Sequence, residues 1–154
     1  MRRTPAVVRF HFPQPVPGFK ERRRTKELLL RTARLEKKRI QELNYVFCSD
    51  EYLLEINRKY LNHNSLTDII TFDLSVPGDG VSSDIYISID RVRENAATYA
   101  TSFKQELLRV MIHGLLHLCG YKDKRKADQT LMREKEAFYL KMFSVPRGTA
   151  QRRI

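Results

Sequence analysis

The chain has no tryptophan and only two cysteines, Cys48 and Cys119. Two cysteines cannot supply the disulfide framework that small secreted domains use to reinforce a thin core. Each reads as a small buried apolar side chain. Long hydrophobic runs are missing too. No stretch of about 18 apolar residues exists, which excludes a membrane-spanning helix. The basic start (Arg2, Arg3) is not followed by the apolar segment of a signal peptide: Phe10–His11–Phe12 is short and broken by Pro13, Pro15 and Pro17. A cytoplasmic protein without a membrane partner is expected. Acidic residues are in short supply: 18 Asp and Glu stand against 29 Lys and Arg, a formal net charge of +11. A small protein this basic points to a polyanion, and nucleic acid is the first candidate; a merely solubilising surface is the alternative.

What is present fits one domain. The 154 residues, 42% of them hydrophobic, are enough to bury a single core. Neither a repeat nor an internal linker interrupts them. Val7, Val8, Phe10 and Phe12 mark a strand over 6–12. A long helix is expected from about 20 to 43, with Leu29, Ala33, Ile40 and Leu43 on one face. Arg24, Arg31, Arg34 and Lys38 form a basic stripe on another, either a track for a phosphate backbone or a solvated face. A short strand at 44–48 precedes Ser49–Asp50, a helix-start signal. Strands are expected at 67–75 and 84–89, with Ile85, Ile87 and Ile89 alternating against Tyr86 and Ser88, and a turn at 77–80. Helices follow at about 90–100, 103–118 and 124–143. The fold class is α/β (α+β): a single domain over 1–146 with an approximately four-stranded mixed sheet and several helices, then a basic tail over 147–154.

The chemistry concentrates in His113-Gly114-Leu115-Leu116-His117-Leu118-Cys119-Gly120-Tyr121-Lys122-Asp123. Histidines at i and i+4 share a helix face, about 5–6 Å apart at Cβ, so both imidazoles can reach one ion. Gly120 can end the helix in a left-handed turn and send the chain back. Asp123 then arrives on the same ion. Cys119, roughly 200° around the helix from His117, points elsewhere. Two imidazoles, one carboxylate and a free fourth position describe a catalytic-type zinc site with one ion, His113, His117 and Asp123 being its ligands. The spacing is that of zinc peptidases. Their motif, however, carries a glutamate base directly after the first histidine, where this chain has Gly114, so a peptidase of that mechanism is not expected.

The same stretch resembles the YbeY family, bacterial ribosomal-RNA maturation factors and metal-dependent endoribonucleases, whose motif reads H-G-x-L-H-L-x-G-Y-D-H. Upstream, the segment from Asn57 to Phe72 resembles the family's N-x-x-Y-R-x-K-D-x-P-T-D-V-L-S-F, and Asp84-Ile85-Tyr86-Ile87 its G-D-I-x-I strand. The family's third histidine is Asp123 here, Lys122 replaces the preceding aspartate, and the arginine that the family associates with activity falls on Leu61. Arg58 or Lys59, one turn earlier, is the candidate to take its place at phosphate. Arg109, on the His113 face, either steers phosphate or forms a salt bridge. His63 and Tyr121 are minor candidates for substrate contact, and Asp68 and Asp73 read as caps and turns. The resemblance implies a single-strand-specific, zinc-dependent hydrolase acting on ribosomal RNA or the ribosomal subunit, in maturation of the small-subunit RNA 3′ end. The competing reading is a ribosome-associated RNA-binding assembly factor whose zinc is structural.

Overall fold

The computed structural model describes residues 5–144. Four strands and five helices run in the order β1 (Val7–His11), α1 (Arg22–Leu35), β2 (Ile40–Cys48), α2 (Asp50–Leu61), β3 (Ile69–Asp73), β4 (Val81–Ser88), α3 (Ile89–Thr98), α4 (Phe103–Leu118) and α5 (Lys126–Ser144). The sheet order is β1-β2-β4-β3. β1, β2 and β4 are parallel, while β3 pairs antiparallel with β4 and forms an edge, so the sheet is mixed as expected. The expected boundary at 146 and the tail 147–154 lie outside the described residues.

Alternation along the strands sorts side chains to two faces. Leu43, Tyr45 and Phe47 of β2, with Ile85 and Ile87 of β4, enter the main core beneath α1, α4 and α5. Cys48, Ile70, Phe72 and Tyr86 face the other way and pack with Leu53 and Ile56 of α2. α4 lies across the first face. The buried Tyr45 hydroxyl donates to the Met111 carbonyl at 3.0 Å and pins the helix to β2. At Gly114 the helix comes so close to the sheet that an added Cβ would stand 2.8 Å from Ile69 Cδ1, 3.3 Å from Ile85 Cγ2 and 3.5 Å from Thr71 Oγ1. The glycine of the motif therefore seats α4 on β3 and β4.

Sequence and structure agree closely for α4 and part company at α1. The expected helix to residue 43 stops at Leu35, and Ile40 and Leu43 belong to β2. Lys38 accordingly lies past the helix end, off the stripe on which it was expected. The cause is a left-handed terminator without glycine: Lys37 adopts φ 61, its N–H donates to Arg34 O at 2.9 Å and the Lys38 N–H donates to Ala33 O at 2.8 Å. Ile89 is likewise not a strand residue. The Ser88 side chain accepts from Arg91 N, and that cap starts α3 at Ile89.

A non-glycine residue in this conformation carries backbone strain of about 1–2 kcal/mol, partly offset because glycine is more flexible when unfolded. Lys37→Gly is expected to stabilise the protein by about 0.5–1 kcal/mol. Urea denaturation reads this as a higher midpoint at constant slope; a lower midpoint would contradict the assignment of the turn.

Candidate metal centre

The site is built by the last two turns of α4 and the reversal after them. His113 and His117 stack edge to face, ring centroids 4.5 Å apart, with Nε2 atoms separated by 3.0 Å. At the helix end Gly120 takes φ 107, the Gly120 N–H donates to His117 O at 3.0 Å and the Tyr121 N–H to Leu116 O at 3.0 Å. A side chain at position 120 would strain that backbone, so the expected glycine turn is present for the expected reason. The chain then reverses and brings Asp123 Oδ2 to 3.2 Å from His113 Nε2 and 3.1 Å from His117 Nε2.

Hydrogen bonding on the far side of each ring decides what this trio can hold. His117 Nδ1 lies 2.9 Å from the Tyr121 carbonyl oxygen, which can only accept, so Nδ1 carries the proton. His113 Nδ1 lies 2.6 Å from Oε2 of Glu136, a carboxylate already engaged by an arginine, and donates in the same way. With both rings neutral, the Nε2 atoms then turn bare lone pairs toward an aspartate oxygen. Three acceptors this close repel one another, and a cation between them resolves the conflict. A tetrahedral ion with ligands at about 2.0–2.2 Å needs ligand separations of roughly 3.3–3.6 Å, a small relaxation from the observed spacing. The donor set fits zinc and also other divalent transition metals. The side chains of His113, His117 and Asp123 keep 18, 31 and 40% of their surface exposed, so the trio opens toward solvent.

Behind His113 stands a buried ionic cluster. Arg109 Nε and Nη2 donate to both oxygens of Glu106 at 2.9 and 2.7 Å, and Nη1 donates to Glu136 Oε1 at 3.0 Å. Its Nη2 is also 3.9 Å from Asp68 Oδ2. Arg109 thus forms the salt bridges that were one of its two expected roles. Asp68 is more than a turn residue: burial raises its pKa, opposed by Arg109 and His113. Glu136 was not singled out from the sequence. Its one trace in the sequence is a carboxylate at helical spacing with the apolar Met132, Tyr139 and Phe143, all of which the structure buries on α5; that spacing does not name its partner.

The metal loop is tied down elsewhere. The Tyr121 hydroxyl donates to Glu36 Oε1 at 2.6 Å, and Lys135 Nζ reaches Glu36 Oε2 at 3.2 Å. The Tyr139 hydroxyl donates to the same carboxylate. These donors lower the Glu36 pKa against the opposing effect of burial. Tyr121 therefore holds the loop through both its carbonyl and its hydroxyl. Cys119 caps α4 away from the trio, its thiol pushed up to about 11 by burial. Cys48 is buried and pushed up to about 12.

The remaining candidates are dispersed. Arg58 Nε donates to Asn64 Oδ1 at 2.5 Å, Lys59 sits 5.3 Å from the Tyr60 ring, and Leu61 is exposed. Arg24 is engaged by Glu21, the Phe143 carbonyl and the Phe143 ring, whereas Arg31 and Arg34 are exposed on α1. His63 is exposed, His11 Nε2 lies 3.1 Å from Asn44 Oδ1, and Asp73 accepts from Ser75 N at 3.0 Å as a turn residue does. Sequence reasoning passed over Lys122, Lys124, Arg125 and Lys126 as a group; all four are exposed, the first three on the loop that carries Asp123 and Lys126 at the start of α5.

Comparison with known proteins converges on one family. The family model described as Endoribonuclease YbeY matches residues 16–144. A Flavobacterium psychrophilum protein named Endoribonuclease YbeY is 61% identical over 110 residues, 71% of this chain and 78% of the relative. A Bacteroides thetaiotaomicron protein of the same name is 46% identical over 121 residues, 79% of this chain and 87% of the relative. A solution structure from Thermotoga maritima aligns with a TM-score of 0.61 at 29% identity, over 89% of this chain and 88% of that one.

If the trio is a metal site, the purified chain takes up one zinc ion and gains thermal stability from it, on the order of 4 kcal/mol at a thousandfold excess over Kd. His117→Ala is expected to abolish both effects. Calorimetric titration of the two proteins checks this, and equal zinc binding by the variant would place the ion elsewhere.

Proposed function

This chain belongs to the Endoribonuclease YbeY family, and on that premise we propose that it is a zinc-dependent endoribonuclease cutting single-stranded RNA at the His113–His117–Asp123 centre. The observation that carries the reading is the convergence of three lone-pair donors on one solvent-open point. When bound there, zinc supplies an acidified water and polarises a phosphoryl oxygen. The residues have distinct tasks. His113 and His117 present Nε2, Asp123 contributes the anionic ligand, and Tyr121 and Glu36 hold the loop that delivers it. Position 114 is glycine and offers no base, which separates this centre from that of a zinc peptidase. A closed structural zinc site would bury four protein ligands; three partly exposed ones support a catalytic role.

The substrate is ribosomal RNA, in maturation of the small-subunit 3′ end in the cytoplasm. The net charge of +11 supports a polyanionic partner. No helix among the described residues is long and apolar enough to cross a membrane. Arg58 or Lys59 supplies the phosphate contact that Leu61 cannot make, and Arg31 and Arg34, exposed on α1, extend the contact surface.

Zinc-loaded protein is expected to cleave a single-stranded ribosomal RNA fragment, and His117→Ala to leave it intact. Cleavage by both proteins would identify a contaminating nuclease. No cleavage by the zinc-loaded wild type, with RNA still bound, would favour the assembly factor.

The basic residues are tested by RNA binding between 50 and 200 mM salt with catalysis blocked. Each phosphate contact removed by alanine at Arg31, Arg34 or Arg58 should reduce the slope of log K against log salt by about 0.7. A slope unchanged by all three substitutions would place the RNA on another surface.

A further inference from the structure

Glu136 occupies a position that the buried apolar spacing of α5 would give to a leucine or methionine. It lies on α5, is 3% exposed, and falls in line with the buried Met132, Tyr139 and Phe143. A buried carboxylate is costly unless both oxygens are partnered. Here they have different partners: Oε2 meets His113 Nδ1 at 2.6 Å and Oε1 takes Arg109 Nη1 at 3.0 Å. Arg109 is in turn gripped along its other edge by both oxygens of the buried Glu106. The cluster of Glu106, Arg109 and Glu136 therefore holds two carboxylates against one guanidinium. Its surplus negative charge is directed at His113, on the side opposite the Asp123 contact.

We propose that Glu136 is a positioning residue for the metal centre: its carboxylate keeps His113 in the Nδ1–H form with Nε2 free for the ion, and Arg109, clamped by Glu106, keeps Glu136 in place. The inference rests on the trio being a metal site. A carboxylate behind a ligating imidazole fixes the ring and makes its free nitrogen a stronger donor, and losing such a partner typically weakens metal binding 10–100-fold. The two histidines are unequal in this respect. His117 leans on a neutral carbonyl, that of Tyr121, while His113 leans on an anion. The binding motif is thus not self-sufficient: one ligand takes its direction from a helix that begins after the motif has ended.

The opposing reading is that Glu136 and Arg109 only fasten α5 to α4. The full-length protein and its Glu136→Gln and Glu136→Ala variants separate the two. Zinc affinity is measured by competition with a chromophoric chelator, folding by circular dichroism, and the tautomer of each histidine by long-range nitrogen–proton correlation in the zinc-free protein.

Glu136→Ala is expected to bind zinc 10–100-fold more weakly and to let His113, but not His117, populate both tautomers. Glu136→Gln keeps an acceptor oxygen without the charge, so it should hold the tautomer and lose less affinity. Should Glu136→Ala fail to fold, Glu136→Gln decides alone: affinity equal to wild type overturns the proposal. So does a folded Glu136→Ala with wild-type affinity or an unmoved His113 tautomer. If His117→Ala abolishes zinc binding while Glu136→Ala leaves it intact, only this inference fails. A wild-type chain that binds no zinc overturns the metal reading as well.

Discussion

Three electron-rich atoms, two imidazole nitrogens and a carboxylate oxygen, are held 3.0–3.2 Å from one another at the end of α4. With both rings neutral they would separate, because each ring's one proton is then spent at Nδ1 on its own acceptor. Much of the surrounding structure serves to oppose that separation. Gly114 lets α4 sit directly on β3 and β4, the Tyr45 hydroxyl fastens the helix from below, and the reversal at Gly120 folds the chain back over the histidines. Glu36 gathers Tyr121, Lys135 and Tyr139, and so locks the loop to α1 and α5 at once. Preorganisation of this kind is what metal ligands need, since affinity is lost to every rearrangement that the ion must impose.

The parts of this arrangement that can be read in one dimension are those where local chemistry dictates local geometry. The spacing of His113 and His117 implies a shared face, Gly120 implies a reversal, and Ser49 marks a helix start that the structure keeps. α4 matches its expected bounds because its apolar period, its cap and its terminating glycine all agree. α1 was misjudged where this agreement breaks: its terminator is a lysine in a glycine conformation, and the apolar Ile40 and Leu43 beyond it continue the helical spacing by coincidence. Glu136 escaped for a different reason. Its meaning depends on a contact 23 residues away across two helices, and no periodicity in either helix reports such a pairing.

The distribution of charge is less simple than the total of +11 suggests. Behind the histidines the balance turns negative: Glu106, Glu136 and Asp68 surround Arg109. A divalent ion would offset these carboxylates without leaving a strong positive centre to draw in a phosphodiester. Exposed cations lie on α1, on the loop at Lys122, Lys124 and Arg125, and at Lys126, where α5 begins. On the proposed function, attraction of a polyanion and binding of the ion fall to different residues.

Gly114 also bears on how this site can change over generations. Zinc peptidases carry their glutamate at that helical position, so on the sequence a single exchange of residue separates the two motifs. Ile69 Cδ1 and Ile85 Cγ2, 2.8 and 3.3 Å from where a Cβ would stand, narrow the route, because a side chain there must push the Ile69 tip aside and press on Ile85. Acquiring the glutamate therefore asks for side-chain repacking on β3 and β4 besides the exchange itself. The close seating of one helix on a sheet edge thus sets a packing cost between this centre and a neighbouring chemistry that shares its ligand spacing.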